Sequence, residues 1–508
     1  MTRLRARQTL SLLQLLTLVA LLLLQLGGRA HNPQVKDPYV DEGFHLRRAL
    51  RIYDFDEHPG RYSHGKVLLY FYLGLFDTDD PYTMLPAARL AMAIISLVTG
   101  AGLYALGRTL HTHSTGLIAL ALYAINPLAV FYERMAMADP LAALLMVLVV
   151  WRSVIFARRP TYRAGAVLGV LIALATLAKL TMALLVLMPL TAALIYGRKQ
   201  KHPRAFIRRY LPPLVLAGVA FCLVWSPFVL PAVLAHNSDD PFLLVNSYNI
   251  QRTDDDPESM AVYIQHITPM LEQFAYAGTV GTLSISVLIV LIIVWGLTIW
   301  QSPRHHLYLA VWFVLITILI VAISRLVSTR YFMPIAVPLS LLPALVITQM
   351  RQQWVRALLL LGVGVWSVGW VLPFVWTTIT DPLDLPFTHI NATEHTLGYL
   401  TGDVAFQEAA DFINQLDSDE RIIATWKVCH QIFFFVEREI DCLPDGRPTS
   451  GLLTAIDALA PDETLLFVIS GFRPYYDDID RIAYETLIST EHPRINRPVY
   501  VHRMWRAP

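Results

Sequence analysis

The sequence predicts a polytopic α-helical membrane protein with about eleven transmembrane helices and a C-terminal extracytoplasmic α/β domain. Two observations predict this class. Of the 508 residues, 55% are hydrophobic and only 16% are charged, which is too apolar for a soluble globular protein. From about residue 381 the composition changes to that of a soluble domain. We therefore expect a membrane module at 1–380, with a large first outer loop at 29–85, and a soluble domain at 381–508.

Apolar segments of nearly membrane-spanning length make up the membrane module. Each is close to the ~20 residues that a bilayer requires, or somewhat shorter. They lie at residues 10–26, 86–107, 115–132, 140–157, 164–178, 181–196, 211–231, 279–300, 307–323, 331–349 and 355–377. Val67–Phe76 has only about ten apolar residues, too few to cross a ~30 Å hydrocarbon core. We assign it to the membrane interface.

The distribution of basic residues orients these segments. Cytoplasmic loops carry an excess of Arg and Lys; the loop at 158–163 has three arginines, and the loop at 198–209 has four arginines and two lysines. These loops lie on the same side only if residues 164–196 form a helical hairpin with Lys179 at its outer apex. We therefore place the N-terminus in the cytoplasm. The first loop and the C-terminal domain are then extracytoplasmic, at the plasma (inner) membrane.

The C-terminal region alternates β-rich and helix-like stretches, which favours a small α/β domain. The β-rich stretches are Ile422–Trp426, Thr464–Ser470 and Pro498–Met504, and the helix-like ones are Val404–Leu416, Ser450–Leu459 and Tyr476–Leu487. This region has no glycine-rich phosphate loop, so we assign it no nucleotide. Cys429 and Cys442 lie here without metal-ligand spacing. They can form one disulfide, between adjacent strands or between a strand and a helix, or stay free.

A carboxylate pair, Asp41-Glu42, follows the first apolar segment by a few residues. Two explanations are open. Acidic residues are favoured in the first turn of a helix, where they complement its positive end, and the residues from Phe44 to Tyr53 have a helical pattern. Alternatively, carboxylates at the mouth of a helix bundle are suited to general-base chemistry on a hydroxyl or an amine.

The positions of other charges favour the second explanation. An ionisable residue within a span costs at least ~2.5–3.5 kcal/mol and usually faces a cavity or a partner. Any one of these charges could form a structural ion pair, but their convergence on the outer face indicates a site for an anion such as a phosphate. The converging features are Asp41-Glu42, His64-Gly65-Lys66, Glu133-Arg134 with Asp139, Lys179, and Arg325 with Arg330-Tyr331.

These motifs resemble the GT-C superfamily of glycosyltransferases, in particular its protein O-mannosyltransferase (glycosyltransferase family 39) and aminoarabinose transferase branches. The resemblance covers roughly residues 1–350. Besides Asp41-Glu42, the motifs that carry it are Arg89-Leu90, Gly107-Arg108, Asn126-Pro127, Arg134, Ala138-Asp139-Pro140-Leu141, Leu177-Ala178-Lys179 and Arg330-Tyr331-Phe332-Met333-Pro334.

The resemblance implies a sugar donor linked to a polyprenyl phosphate. Asp41 matches the general base of the family, Glu42 its neighbour, and Asp139 a second acidic residue. Lys66 and Arg330 match donor-phosphate contacts, and Lys179 is a further candidate. A His64-Gly65-Lys66 tripeptide replaces a proline-rich one, which leaves open whether His64 or Lys66 contacts the phosphate. These branches need no metal, so we expect neither a metal nor another cofactor.

We therefore predict an inverting hexosyl- or pentosyltransferase that moves a monosaccharide from the polyprenyl-phosphate donor to a protein, lipid or glycan acceptor. The alternative is a transporter or flippase with a charged outer vestibule, but the sequence has no internal repeat and no mid-span Gly/Pro breaks. A receptor or scaffold would leave the outer-face charges unexplained. The net charge of +1 gives no indication of nucleic acid as a partner. The expected partners are the donor, the acceptor and the lipid bilayer.

Overall fold

The computed structural model describes residues 11–507, with gaps at 37, 64, 77, 79–80, 198–202, 235–295, 297–298, 301, 324–328, 386–402, 444–447, 472–478 and 493–494. The chain forms two compact units. The first unit consists of Met1–His31, Asp54–Phe71 and Leu90–Thr380, and the second of Asn32–Tyr53, Tyr72–Arg89 and Asp381–Pro508. The second unit therefore combines the C-terminal residues with two segments from the first 89.

Helices account for most of the described residues before 385. They are α1 (Leu12–Ala30), α2 (Val40–Leu50), α3 (Pro59–Tyr62), α4 (Val67–Leu73), α5 (Pro81–Leu110), α6 (His113–Ala124), α7 (Pro127–Tyr132), α8 (Ala138–Arg158), α9 (Tyr162–Ala178), α10 (Leu187–Tyr196), α11 (Pro203–Leu234), α12 (Pro303–Ile323), α13 (Ala336–Gln349), α14 (Gln353–Trp366) and α15 (Leu372–Thr380). Short 3₁₀ segments at Leu180–Val186 and Thr329–Ile335 precede α10 and α13, respectively.

Several helices begin where the sequence offers an N-cap. The side chains of Ser11, Thr112, Asn126 and Thr161 each accept a hydrogen bond from a backbone amide in the first turn of the helix that follows. Such caps satisfy amides that have no partner within the helix.

Five described helices are long and apolar enough to cross a membrane: Leu12–Ala30, Tyr82–Leu110, Ala138–Arg158, Pro203–Pro231 and Gln353–Thr380. Shorter apolar helices lie at Val67–Phe76, His113–Ala124, Tyr162–Ala178, Leu180–Tyr196 and Met333–Gln349. Most of the predicted segments coincide with described helices, whereas the segment predicted at 279–300 lies almost wholly outside the described residues. The number of spans therefore stays a prediction.

The helix between 164 and 196 is interrupted at Lys179, as the charge pattern predicts. Lys179 has extended backbone angles (φ −159°, ψ 119°) between the end of α9 and the 3₁₀ segment that follows. Two glycines four residues apart hold α9 against α11. A methyl group at Gly165 would lie 2.1 Å from the carbonyl oxygen of Pro213, and one at Gly169 would lie 2.0 Å from that of Ala217. Only glycine permits this backbone approach, which is common between membrane helices.

The C-terminal residues of the second unit form a mixed sheet with helices. The elements in chain order are α16 (Asp403–Gln415), β1 (Arg421–Ala424), α17 (Trp426–Ile432), β2 (Ile440–Cys442), α18 (Pro448–Asp457), β3 (Leu465–Ser470), β4 (Ile482–His492) and β5 (Ile495–Arg506). The strand order is β2-β1-β3-β5-β4. β1 is parallel to β2 and β3, whereas β5 is antiparallel to β3 and β4. The core beside the sheet contains Leu452, Ile456, Phe467 and Met504.

The helix predicted over Tyr476–Leu487 is wrong in its described part. Residues 476–478 lie outside the described residues, and Ile482 onwards is the antiparallel strand β4. Alternate side chains, Ile482 and Tyr484, pack on the sheet core. The segment has the period-two pattern and β-branched residues of a strand, and pairing with β5 outweighs its local helical tendency.

Candidate active site

Asp41 and Glu42 lie in the first turn of α2. Glu42 accepts a hydrogen bond from the backbone amide of Tyr39 (3.0 Å), which precedes the helix. This contact and the positive end of the helix favour carboxylates at these two positions. The preference for acidic residues in the first turn of a helix therefore accounts for part of the role of Glu42.

Glu42 also forms a buried ion pair with Arg89. Both side chains are almost inaccessible to solvent, 0% and 1% exposed. Arg89 Nε lies 2.9 Å from one carboxylate oxygen and Nη2 lies 2.6 Å from the other. Arg89 Nη1 also donates to the carbonyl oxygens of Pro33 (2.8 Å) and Lys36 (2.6 Å). Because one guanidinium binds the carboxylate and two carbonyls, it fixes the loop that leads into α2.

Asp41 is half-buried. The same helix carries Phe44, which forms an aromatic cluster with Trp426 and His430 of the second unit. Phe44, one turn further along α2, packs against Trp426 (centroids 5.6 Å apart) and edge-on against His430 (5.3 Å). Burial, together with the positive charges of Arg47 and Arg48, lowers the pKa of His430 to about 3. The negative charge of Asp41 acts in the opposite direction, so His430 lies within its electrostatic range.

In the first unit, the structure brings three predicted residues together. Asp139 begins α8 and is 3% exposed. Its carboxylate lies 2.5 Å from the ammonium of Lys179. Lys179 Nζ lies 4.9 Å from the centre of the Tyr331 ring, and the guanidinium carbon of Arg330 lies 5.3 Å from the same ring. We call Asp139, Lys179, Arg330 and Tyr331 the phosphate cluster; it combines one carboxylate with two cations and is suited to an anion.

Glu133 and Arg134 have structural contacts within the first unit. Glu133 is 0% exposed and accepts hydrogen bonds from Arg29 Nε (3.0 Å), Ser96 Oγ (2.7 Å) and Tyr123 OH (2.6 Å). Arg134 Nη1 donates to the carbonyl oxygen of Gly28 (2.8 Å), in the last turn of α1. A guanidinium there satisfies an unpaired carbonyl and complements the negative end of the helix.

The remaining predicted residues are only partly described. Lys66 is half-buried directly before α4, and its carbonyl accepts hydrogen bonds from the amides of Leu69 and Tyr70. His64 and Arg325 lie outside the described residues. Lys66 and the phosphate cluster belong to the first unit, and Asp41 and Glu42 to the second. The roles of all these residues stay predictions.

Sequence reasoning placed Arg89 and Tyr331 in motifs but predicted neither the pairing of Arg89 with Glu42 nor the position of the Tyr331 ring beside the two cations. A signal for the first exists, since Arg89 lies in an apolar segment where a charge requires a partner. The sequence does not say that this partner is Glu42, 47 residues earlier.

Among known proteins, the chain matches one family model over part of its length and shares a fold with solved structures. Residues 84–229 match the family model of dolichyl-phosphate-mannose-protein mannosyltransferase. The chain is also similar to the crystal structure of ArnT from Cupriavidus metallidurans bound to undecaprenyl phosphate (TM-score 0.61, 15% identity, 96% of this chain and 97% of that chain). The chain has a GT-C glycosyltransferase fold. The structure of the same ArnT in the apo state matches with a TM-score of 0.59 and 15% identity, over 96% of this chain and 97% of that one.

The archaeal oligosaccharyltransferase AglB from Archaeoglobus fulgidus has a related GT-C fold. In complex with an inhibitory peptide and a dolichol-phosphate, it matches with a TM-score of 0.51 and 11% identity, over 90% of this chain and 69% of that one. No curated protein matches the chain significantly. The resemblance to the GT-C superfamily, and with it a helical membrane architecture, is confirmed.

Proposed function

We propose that the protein is an integral membrane glycosyltransferase that transfers a monosaccharide from a polyprenyl-phosphate donor to an acceptor on the outer face of the membrane. The phosphate cluster carries this proposal. Lys179 and Arg330 both lie beside the ring of Tyr331, and Lys179 is paired with the carboxylate of Asp139, so two cations and one carboxylate meet where the phosphate of the donor is proposed to bind. In the same fold, ArnT binds undecaprenyl phosphate.

The chemistry assigns a role to each group. Asp41 accepts the proton of the acceptor hydroxyl or amine as the acceptor atom bonds to the anomeric carbon of the sugar. The bond between that carbon and the phosphate oxygen breaks, and its electron pair remains on the phosphate. Lys179, Arg330, Lys66 and His64 stabilise the charge that develops there. A single displacement of this kind inverts the anomeric configuration.

Two carboxylates have supporting roles in this proposal. Glu42 is engaged by Arg89 and by the Tyr39 amide, so it holds the helix that carries Asp41 rather than accepting a proton itself. Asp139 orients Lys179, and the ammonium of Lys179 exchanges this carboxylate for the phosphate when the donor binds. No metal or other cofactor enters the proposed reaction.

We further propose the topology that the sequence predicts. The N-terminus is cytoplasmic, about eleven helices cross the plasma (inner) membrane, and the catalytic groups and the domain at 381–508 are extracytoplasmic. The basic loops at 158–163 and 198–209 support this orientation, as does the interruption of the hairpin at Lys179.

A transfer assay tests the proposal. Purified protein in lipid nanodiscs is given a panel of radiolabelled polyprenyl-phosphate sugars together with candidate protein, lipid and glycan acceptors. We expect label to move from one donor to one acceptor class, with release of the polyprenyl phosphate. Movement of intact donor across a proteoliposome membrane, with no glycosidic bond made or broken, would instead establish the transporter.

A further inference from the structure

Helix α2, which carries Asp41, packs unusually closely on α17 within the second unit. A methyl group at Gly43 would lie 1.6 Å from the carbonyl oxygen of His430, so the two backbones meet without an intervening side chain. Next to this contact in the sequence, Phe44 packs against the rings of Trp426 and His430. Gln431 Nε2 donates to the carbonyl oxygen of Pro38 (3.1 Å), just before α2.

Arg47, one turn beyond Gly43 on α2, contacts a disulfide. Cys429 of α17 and Cys442 of β2 are bonded, with their Cα atoms 5.5 Å apart. Arg47 Nη1 lies 2.9 Å from each of the two sulfur atoms. Arg47 Nη2 donates to the carbonyl oxygen of Ile440 in β2 (3.2 Å).

The disulfide therefore presents two sulfur acceptors at a fixed separation to a single guanidinium nitrogen. Each sulfur is a weak acceptor, and the half-buried Arg47 has both of them together with a backbone carbonyl. Reduction frees the two sulfurs from each other and removes the covalent link between α17 and β2. The contact site of Arg47 then no longer has one fixed geometry.

We infer that Arg47 and the Cys429–Cys442 disulfide together position α2, and thereby Asp41, for the reaction; this inference rests on the proposed function. Asp41 and Arg47 belong to the same helix of 11 residues, so a displacement at Arg47 moves Asp41 as well. Arg47 is thus a positioning residue, and the C-terminal domain is a part of the catalytic apparatus. A positional error of ~1 Å at a catalytic group can lower the rate by roughly 10²-fold.

Reduction of the Cys429–Cys442 disulfide is a thiol–disulfide exchange. A dithiol reductant gives two electrons and two protons to the disulfide, which becomes two thiols, and the reductant closes into a cyclic disulfide. Removal of the reductant followed by mild oxidation reverses the step. The same molecules can therefore be compared in both states.

Full-length protein in nanodiscs is tested oxidised, reduced with dithiothreitol, and reoxidised. Transfer and amide hydrogen exchange are measured in each state. We expect reduction to lower kcat at least tenfold with little change in the donor KM, to raise exchange in residues 40–50, and to leave the amides of β3 protected. Reoxidation should restore both values.

Two variants complete the experiment. Arg47→Gln should lower kcat in the oxidised protein and make it insensitive to reduction, whereas Arg51→Gln, an exposed position at the end of the same helix, should behave as the wild type. The inference is overturned if reduction changes neither kcat nor exchange in residues 40–50, or if β3 loses its protection together with α2, since the disulfide would then only maintain the domain fold. If the oxidised protein transfers no sugar at all, the proposed function fails, while hydrogen exchange still decides whether the disulfide positions α2.

Discussion

The Glu42–Arg89 pair of the second unit and the Asp139–Lys179 pair of the first unit differ in how many contacts the carboxylate makes with its cation. In the second unit, Glu42 and Arg89 are both fully buried, and both carboxylate oxygens accept hydrogen bonds from the guanidinium. In the first unit, Asp139 and Lys179 meet at a single contact, and the Lys179 side chain is 17% exposed. A guanidinium fork fixes geometry, whereas an ammonium is a point charge on a flexible chain. The first pair is therefore suited to hold a structure and the second to exchange its partner for a ligand.

The largest effect on sugar transfer should come from substitution of Asp41, the neighbour of Glu42 in the sequence. Asp41→Asn keeps size and hydrogen bonding but removes the base, so we expect transfer to fall by about 10²–10⁴-fold with unchanged donor binding. Single-turnover transfer and donor binding are measured on the same preparation, and size-exclusion chromatography controls for folding. Near-normal transfer would mean that Asp41 merely occupies a helix N-terminus, and the central assignment would fall.

Breaking the buried pair should act mainly on stability. Arg89→Met leaves Glu42 without its cation, and loss of one partner of a buried pair costs about 3–5 kcal/mol. We expect a clear fall in the thermal unfolding temperature of the purified protein, with a loss of transfer that follows the loss of folded protein. Glu42→Gln should be intermediate in transfer, because the amide keeps part of the contact. An Arg89→Met protein as stable as the wild type would show that the pair does not hold the loop before α2.

A substitution in the phosphate cluster should weaken the binding of the donor. Arg330→Ala removes a charge-assisted contact, worth about 1.5–3 kcal/mol, so donor binding should weaken by roughly 10- to 100-fold. The turnover number should fall as well, because the leaving phosphate is stabilised less. Arg163→Ala, an exposed arginine at the start of α9, is the matched control and should bind donor normally. Equal affinity in the two variants would remove Arg330 from the site.

The smallest effect concerns the pH dependence of stability in the second unit. Burial and the nearby positive charges of Arg47 and Arg48 lower the pKa of His430 from 6.5 to about 3. Below pH 6.5 the unfolded chain therefore takes up a proton on this histidine, whereas the folded protein accepts it only near pH 3. The contribution of His430 to the free energy of unfolding is thus fully present above pH 6.5 and is lost as the pH falls towards 3. In the His430→Gln variant, the unfolding temperature should decrease less than in the wild type as the pH is lowered from 6.5 to 3. Parallel curves for wild type and variant would show that His430 is not held neutral.

Much of the helical architecture follows from the sequence, because apolar length and the placement of basic loops are local signals. The interruption at Lys179 is an example, since only a break there reconciles the charges of the two flanking loops. The grouping of Asp139 with Lys179 and Arg330 was predicted as a convergence of charges, but the ion pair between Asp139 and Lys179 and the position of the Tyr331 ring beside the cations were not.

What escaped prediction depends on long-range pairing. The first part of strand β4, up to Leu487, was predicted as helix. It forms a strand because it pairs with β5, and local propensity does not include such pairing. The disulfide was left open because thirteen residues of separation suit several geometries; the structure joins a helix to a strand. The pairing of Glu42 with Arg89 was not predicted because the two residues are 47 positions apart in the sequence and lie in different helices.

The buried contact between Arg29 and Glu133 has a consequence for the maturation of the protein. The basic start and apolar stretch of residues 1–26 have the character of an export signal. Yet Arg29, in the last turn of α1, is the counter-ion of a carboxylate that is 0% exposed. Proteolytic removal of α1 would leave that carboxylate in the bundle without its cation, and the carbonyl of Gly28 would no longer be available to Arg134. Because its removal would destabilise the helix bundle in this way, we expect α1 to be retained in the mature protein.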